Sequence, residues 1–110
     1  MIESSHQARS VFFGAATQLN SEGYSTLRVA GSSRLFDLVA WKKKELLFLI
    51  VKRSRIVDIS EFSDEIARIV AELREGNIPG EVQFWIYKAP QWSRFHILPG
   101  GILPMAEEAV

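Results

Sequence analysis

The sequence GSSRLFDLVAWKKKELLFLIVKRSR, residues 31–55, decides the fold. It contains two apolar runs, residues 35–41 and 45–52, separated by a basic triplet at 42–44. Each run has the length of a strand and is apolar almost throughout, as in central strands that are covered on both faces. The basic break between the runs is typical of a hairpin turn. This stretch therefore predicts two adjacent, buried strands.

The residues before this stretch predict a helix followed by a strand. Residues 6–21 carry apolar side chains at intervals of three and four, which is the spacing of one helix face. These side chains are Val11, Phe12, Ala15 and Leu19. Gly23 is typical of the residue that follows a helix. Residues 24–29 then alternate in the manner of a strand that ends at the turn beginning at Gly31.

The residues after this stretch predict a second helix and two closing strands. Residues 59–73 form one apolar stripe at helical spacing, with charged residues elsewhere. Asp58 and Glu61 have the spacing of a capping box, and Gly76 stops the helix. Residues 82–87 and 95–98 predict strands. The order is helix, three strands, helix, two strands, which favours an α/β fold with a mixed sheet flanked by helices.

Length and composition favour a single domain over residues 1–110, with a core at about residues 6–98 and short flexible ends. The chain has no cysteine, which excludes disulfides, thiolate zinc sites and cysteine nucleophiles. This composition fits a reducing interior, so we expect a cytoplasmic protein. The apolar runs are too short to span a bilayer, and no secretion signal opens the chain, so no membrane partner is predicted.

Charge is distributed unevenly along a chain whose net charge is zero. Residues 28–55 hold eight basic and two acidic groups, a net of +6, and the remainder holds five basic and eleven acidic groups, a net of −6. Such a block predicts a positive face that meets phosphate and an acidic back. For the lysine triplet alone, the alternative is that it solvates a hairpin turn.

Four short segments carry a resemblance to a known family. They are Gly23-Tyr24, Leu-Arg-Val-Ala-Gly-Ser at 27–32, Phe-Asp-Leu-Val-Ala at 36–40 and Leu-Ile-Val-Lys at 49–52. In these segments and in its order of elements, the chain resembles the archaeal Holliday junction resolvases, a branch of the PD-(D/E)XK nuclease superfamily. The resemblance implies a restriction-endonuclease-like core, a homodimer, and branched or duplex DNA as a partner.

The resemblance also implies a set of site residues. Asp37 corresponds to the first metal ligand and Lys52 to the catalytic lysine, while the backbone carbonyl of Val51 corresponds to a further ligand. The metal would be Mg²⁺ or Mn²⁺, which prefers oxygen ligands and activates water beside the phosphate. The nucleic-acid-binding candidates are the basic residues of the block and one loop serine: Arg28, Ser32, Arg34, Lys42, Lys43, Lys44, Arg53 and Arg55.

Two acids of the family pattern are missing. Ile50 stands thirteen positions after Asp37, where the motif acid belongs, and the first helix has no glutamate around residues 12–14. The resemblance therefore predicts a degenerate active site. Glu65, next to an apolar position of the second helix, is a candidate for a relocated acid. The alternative is that Asp37 is structural and is paired with Lys52 or Arg28.

Three functions remain open at this point. The first is a nucleic-acid-binding or junction-binding protein of nuclease fold whose metal-dependent cleavage is lost or reduced. The second is an active structure-specific endonuclease that a relocated acid completes. The third is a structural or regulatory homodimer that is not catalytic and touches no nucleic acid. In the first and third cases no cofactor is expected.

Overall fold

A computed structural model describes residues 2–31 and 33–105, with side chains from residue 11 onward. Ser32, one of the nucleic-acid-binding candidates, and the C-terminal end from residue 106 lie outside the described residues. The elements in chain order are α1 (Ile2–Ser21), β1 (Ser25–Arg28), β2 (Leu38–Lys42), β3 (Glu45–Arg53), a 3-10 turn (Ile59–Phe62), α2 (Ser63–Arg74), β4 (Glu81–Lys88), β5 (Gln91–Leu98) and β6 (Gly101–Pro104). The first helix begins at Ile2, before its predicted start at residue 6.

The six strands form one mixed sheet in the order β1-β2-β3-β4-β5-β6. All neighbouring pairs are antiparallel except β3 and β4, which run parallel because α2 crosses over between them. The predicted α/β fold with a mixed sheet is confirmed.

The closing part of the fold has three strands, where two were predicted. The additional strand, β6, pairs with β5 at the sheet edge. It has only four residues and contains Pro104, which cannot donate a hydrogen bond and is tolerated on an edge strand. No strand pattern in its own residues indicated it, because its pairing depends on the neighbouring β5.

Side chains of β3 alternate between two cores, one on each face of the sheet. Leu49 and Val51 pack beneath α1 with Ala15, and all three are buried. Ile50 points to the other face, where it packs with Ile66 and other apolar residues of the second core. The apolar run of β3 thus reflects a strand that is covered on both faces, as predicted.

The second strand starts three residues later than predicted. Residues 33–37 form a turn and bends, and β2 begins only at Leu38. The bend places the ring of Phe36 5.0 Å from that of Phe48 and turns Asp37 toward β3.

The predicted second helix is divided into the 3-10 turn and α2. Asp58 caps this turn by accepting a hydrogen bond from the amide of Ser60 at 3.1 Å, rather than from Glu61 as the predicted capping box required.

Glu22 joins the end of α1 to β5. Its carboxylate accepts two hydrogen bonds from the Arg94 guanidinium, at 3.2 and 2.6 Å, and one from the Gln18 amide at 2.9 Å. Burial raises the pKa of Glu22. The hydrogen bonds from Arg94 and Gln18 and the charges of Arg94 and Lys42 lower the pKa by a larger amount. The net result is a pKa below the 4.5 of an unperturbed glutamate.

This lowered pKa predicts how stability depends on pH. The folded state binds the Glu22 proton more weakly than the unfolded state does. The contribution of the Glu22 carboxylate to the free energy of unfolding is therefore fully present above pH 4.5, and it is lost as the pH falls through the pKa of the folded state. Glu22→Gln should therefore be less stable than the native chain near pH 7, and the difference should shrink below about pH 4.5. Urea midpoints from about pH 7 to about pH 3 measure this change.

Glu75→Gln is the control for this prediction. It removes the same charge from an exposed carboxyl that forms no ion pair among residues 11–31 and 33–105. A Glu22→Gln difference that stays constant across the acid range would contradict the assigned role of the carboxylate.

Candidate functional site

Asp37 lies just before β2, beside the carboxyl-terminal half of β3. Its backbone amide donates to the carbonyl of Leu49 at 2.8 Å, and its carboxylate Oδ2 accepts from the amide of Val51 at 2.8 Å. Pairing of β2 with β3 begins at Leu38, so Val51 lies beyond the last backbone pair. The Asp37 carboxylate thus accepts the hydrogen bond that a backbone carbonyl would accept if the pairing of β2 with β3 continued. Without it, the buried amide of Val51 would lose this partner.

Arg34 is the ion-pair partner of Asp37. Its Nε lies 3.1 Å from Asp37 Oδ1, and its Nη1 donates to the carbonyl of Gly31 at 2.7 Å. The predicted structural partners of Asp37, Lys52 and Arg28, were wrong. The bend over residues 33–37 brings Arg34 back onto Asp37, whereas Arg28 lies over the ring of Phe12, 4.0 Å from its centroid.

Ile50, at the position where the resemblance places the motif acid, is part of the hydrophobic core. It is 1 % exposed and packs on the α2 face of the sheet with Ile66, Ile69 and Phe84. A carboxylate at this position would lie in an apolar environment, where an unpaired charge is strongly unfavourable. Ile50 thus serves packing in this structure.

Lys52 and Glu65 are brought together. Lys52 follows Ile50 by two residues and so points to the same face of β3, where its Nζ lies 2.9 Å from Glu65 Oε1 on α2. The Lys52 Nζ also lies 5.7 Å from the centroid of the Phe62 ring. The predicted relocated acid thus does reach the predicted catalytic lysine. Both side chains are about 30 % exposed, at 29 and 31 %, so the pair lies at the rim of the core.

The arrangement does not fit a divalent metal. Both oxygens of Asp37 are already hydrogen-bonded, and one of them faces the guanidinium of Arg34. Glu65 is neutralised by Lys52. The Val51 carbonyl lies on the same side of β3 as the Val51 amide that contacts Asp37. As a metal ligand it would be uncharged and would not replace a missing carboxylate. Within residues 11–31 and 33–105, no three acidic or imidazole side chains form a candidate metal cluster.

Six of the eight candidate nucleic-acid-binding residues fall into two groups at opposite ends of β3. Lys42, Lys43 and Lys44 lie at the β2–β3 turn, before β3 begins at Glu45. Arg34, Arg53 and Arg55 lie near the end where β3 stops. The nine residues of β3 separate the two groups by roughly 26 Å. The positive block in the sequence is therefore two basic patches rather than one continuous face.

The lysine triplet is only partly engaged by other groups of the protein. Lys42 Nζ donates to the carbonyl of Glu22 at 3.0 Å and lies 4.5 Å from the ring centroid of Tyr24. It therefore stabilises the seam between α1 and the sheet. Lys43 and Lys44 are exposed in the turn, where Lys43 adopts φ 55. This arrangement is consistent with the alternative that the triplet mainly solvates a hairpin turn.

Lys88 and Tyr87 were missed as functional candidates. They end β4, and the parallel register places Tyr87 opposite Arg53. Together with Arg55 they line a cavity beyond the ends of both strands. The only sequence signal for Lys88 was its position at the end of a predicted strand, and its proximity to Arg53 depends on the pairing of β3 with β4.

The aromatic residues of the last strands belong mainly to the core. Phe84 and Trp85 are fully buried, and the ring of Trp92 lies 5.2 Å from that of Trp85 and 4.9 Å from that of Tyr87. Trp85, Tyr87 and Trp92 lie on the α1 side of the sheet. Phe84 lies on the α2 side, where its ring centroid is 5.3 Å from that of Phe62. Core packing therefore accounts for these rings.

Comparison with solved structures identifies the fold. The chain is similar to the Holliday junction resolvase Hjc from the archaeal hyperthermophile Archaeoglobus fulgidus, with a TM-score of 0.61 and 18 % sequence identity over 90 % of this chain and 88 % of that one. No protein-family model and no curated protein sequence matches the chain. At this identity the likeness concerns the fold, and the predicted fold is confirmed. The chain has the restriction-endonuclease-like fold of a Holliday junction resolvase.

Proposed function

We propose that the chain is a nucleic-acid-binding protein of nuclease fold in which metal-dependent cleavage is lost or strongly reduced. The single observation that carries this proposal is the burial of Ile50 at the position of the motif acid. A PD-(D/E)XK nuclease needs acidic ligands there to hold the metal that activates water. An aliphatic side chain within the core can neither bind a cation nor rotate toward solvent to make room for one.

Arg34 supports binding over cleavage. Its guanidinium lies beside Asp37, where the resemblance would place a metal ion, and two hydrogen bonds hold it in position. The Nη2 group makes no hydrogen bond among the described residues, so it can donate to a phosphate oxygen. Arginine stays charged at all relevant pH values and binds phosphate well, but it does not activate water as a metal does. A fixed guanidinium at this position favours retention of a phosphate without hydrolysis.

Branched or duplex DNA is the proposed partner, and it follows from the fold of the resolvase together with the two basic patches. A duplex offers phosphates over a wide surface, so patches roughly 26 Å apart can both contact one DNA molecule. The acidic groups lie mostly outside residues 28–55, which suits a back that faces away from DNA. The second hypothesis, an active endonuclease, depends on Glu65, whose carboxylate is bound by Lys52.

A homodimer remains part of the proposal. Leu27 and Trp41 are 61 and 41 % exposed, and the pairing of β1 with β2 places them on the same face of the sheet near its β1 edge. Such uncovered apolar side chains are suitable for contact with a second copy.

Cytoplasmic localisation also stays a prediction. Among the described residues, no helix combines the length and the apolar character needed to cross a bilayer.

The test of this proposal is binding and cleavage of a four-way DNA junction and of a duplex with the same arms. We expect a gel shift that weakens steeply between about 50 and 200 mM salt, because phosphate contacts release counterions. We expect no cleavage with Mg²⁺ or Mn²⁺. Arg34→Gln should weaken binding about tenfold, the effect of losing roughly one charged hydrogen bond.

Arg68→Gln is the matched control, because Arg68 is exposed on α2 and forms no ion pair among the described residues. It should leave affinity within about twofold of the native chain, and Arg34→Lys should recover part of the loss by keeping the charge. Equal losses in Arg34→Gln and Arg68→Gln would refute the placement of Arg34 at the phosphate. Metal-dependent cutting by the native chain would refute the proposed loss of activity.

A further inference from the structure

A cavity of ≈ 490 Å³ lies beyond the ends of the parallel strands β3 and β4. It is lined by Arg53, Ser54, Arg55, Tyr87, Lys88 and Ala89. These residues comprise three cations and no acid. The cavity is open to solvent on one side. The cavity is therefore a concave site with a single sign of charge, which concentrates a positive field.

The three cations of this cavity are not neutralised by any acid whose side chain the structure describes. Arg53, Arg55 and Lys88 form no ion pair among the residues from 11 to 105 that the structure describes, and all three are exposed. Other cations of the molecule are neutralised in place, as Arg94 is by Glu22 and Lys52 by Glu65. Three unneutralised charges around one cavity repel each other. A bound anion would relieve that repulsion.

The cavity is held in shape by the sheet. The amide of Ser54 donates to the carbonyl of Tyr87 at 3.0 Å, which continues the pairing of β3 with β4 one residue past the last strand pair. The guanidinium of Arg53 lies 5.4 Å from the centroid of the Tyr87 ring, a cation–π distance that restricts the arginine side chain. A preorganised cation loses less entropy when it binds an anion than a freely rotating one.

We infer that this cavity, the Arg53 pocket, binds a phosphate group of a nucleic-acid strand. Two arginines and a lysine match the several oxygens of one phosphate, because guanidinium forks donate in pairs and an ammonium adds a point charge. The carrier of the phosphate, a nucleic acid, rests on the proposed function. Both an internal phosphodiester and a strand's terminal phosphate supply this chemistry.

The Arg53 pocket is separate from the site around Asp37 and Lys52. Arg53 follows Lys52 on β3, so its side chain points to the α1 face, while Lys52 points to the α2 face. Tyr87 packs against the core beneath α1, which agrees with that assignment. One nucleic-acid strand that passes this end of the sheet can therefore contact both the pocket between β3 and β4 and Arg34 on the β2 side of β3.

The experiment is an NMR titration of amide resonances of the full chain with three probes. They are inorganic pyrophosphate, a single-stranded DNA oligonucleotide with a 5′-phosphate, and the same oligonucleotide without it. We expect each binding probe to shift the amides of Ser54, Arg55, Lys88 and Ala89. The triple variant Arg53→Gln, Arg55→Gln, Lys88→Gln should weaken pyrophosphate at least about tenfold.

The triple variant Lys43→Gln, Lys44→Gln, Arg68→Gln is the matched control. It removes the same total charge from exposed cations that do not line the pocket and should change pyrophosphate affinity by no more than about twofold. Equal losses in the two triple variants, or shifts confined to other amides, would overturn the inference. So would the absence of any shift in the native chain at millimolar pyrophosphate.

The two oligonucleotides identify the source of the phosphate. Equal affinities support an internal phosphodiester, and binding of the 5′-phosphorylated strand alone supports a terminal phosphate. If pyrophosphate shifts the pocket amides but no DNA binds anywhere, the phosphate pocket stands and the proposed nucleic-acid function fails. If DNA binds with no shift at the pocket, the proposed function stands and this inference fails.

Discussion

Ile50→Glu is expected to destabilise the fold by about 3–5 kcal/mol without restoring metal-dependent cleavage. The native side chain is 1 % exposed and packs with Ile66, Ile69 and Phe84 on the α2 face. A glutamate there must either remain charged in an apolar core or take up a proton, and both alternatives favour the unfolded state. Lys52, two residues away, is already paired with Glu65 and so is not free to neutralise it. Urea denaturation measures the loss.

Two further variants separate the charge from the change in packing. Ile50→Val removes one methylene and should cost about 1 kcal/mol. Ile50→Gln has the shape of the glutamate without its charge, so its loss should lie between those of the valine and glutamate variants. Mg²⁺ or Mn²⁺ should not restore the stability of Ile50→Glu. If either metal restores the stability of Ile50→Glu and this variant also cuts a four-way junction, position 50 lies at an intact metal site and the proposed loss of that site is wrong.

The sequence was sufficient for the central elements, because their patterns come from burial alone. β3 is apolar on both faces and α2 carries one apolar stripe, and both occur close to where they were predicted. β6 could not be predicted, since its four residues become a strand only through pairing with β5. The same holds for the late start of β2, where a bend at residues 33–37 interrupts an apolar run that was indistinguishable from a strand.

The candidate site was predicted residue by residue but not in its contacts. Asp37 and Lys52 were identified from the resemblance, yet the structure pairs them with Arg34 and Glu65 rather than with each other. Glu65 was named as a candidate metal ligand, and the structure shows it in an ion pair with Lys52. Arg34 reaches Asp37 only because the chain bends between the two residues, and no periodicity in the sequence predicts that bend.

Charge provides the second lesson about sequence and structure. A net of +6 over residues 28–55 suggested one positive face, but the β2–β3 hairpin places the lysine triplet at one end of β3 and the ends of the segment at the other. Conversely, Arg53 and Lys88 are distant in sequence and meet because β3 and β4 are parallel. Charge density along a chain therefore does not show which basic residues share one surface.

Asp37→Ala is expected to destabilise the fold by about 2–4 kcal/mol, because the carboxylate stabilises the sheet rather than a metal. Its removal leaves the amide of Val51, in a residue that is 3 % exposed, without its acceptor. It also leaves the half-buried guanidinium of Arg34 without its counter-charge. Asp37→Asn keeps an oxygen that can accept from Val51, so it should cost only about 1 kcal/mol. Urea denaturation of the two variants, without added metal, measures the difference.

The opposite result would identify Asp37 as a ligand. Acidic groups held close to other acids for metal binding repel each other in the metal-free protein, so their removal stabilises it. An Asp37→Ala variant as stable as the native chain, or more so, would therefore contradict the structural role. In the structural case, Arg34→Leu in the Asp37→Ala background should recover part of the lost stability, because it removes the cation that the first substitution left unpaired. A recovery of that kind ties both side chains to one ion pair and makes Arg34, released from Asp37, unnecessary for folding.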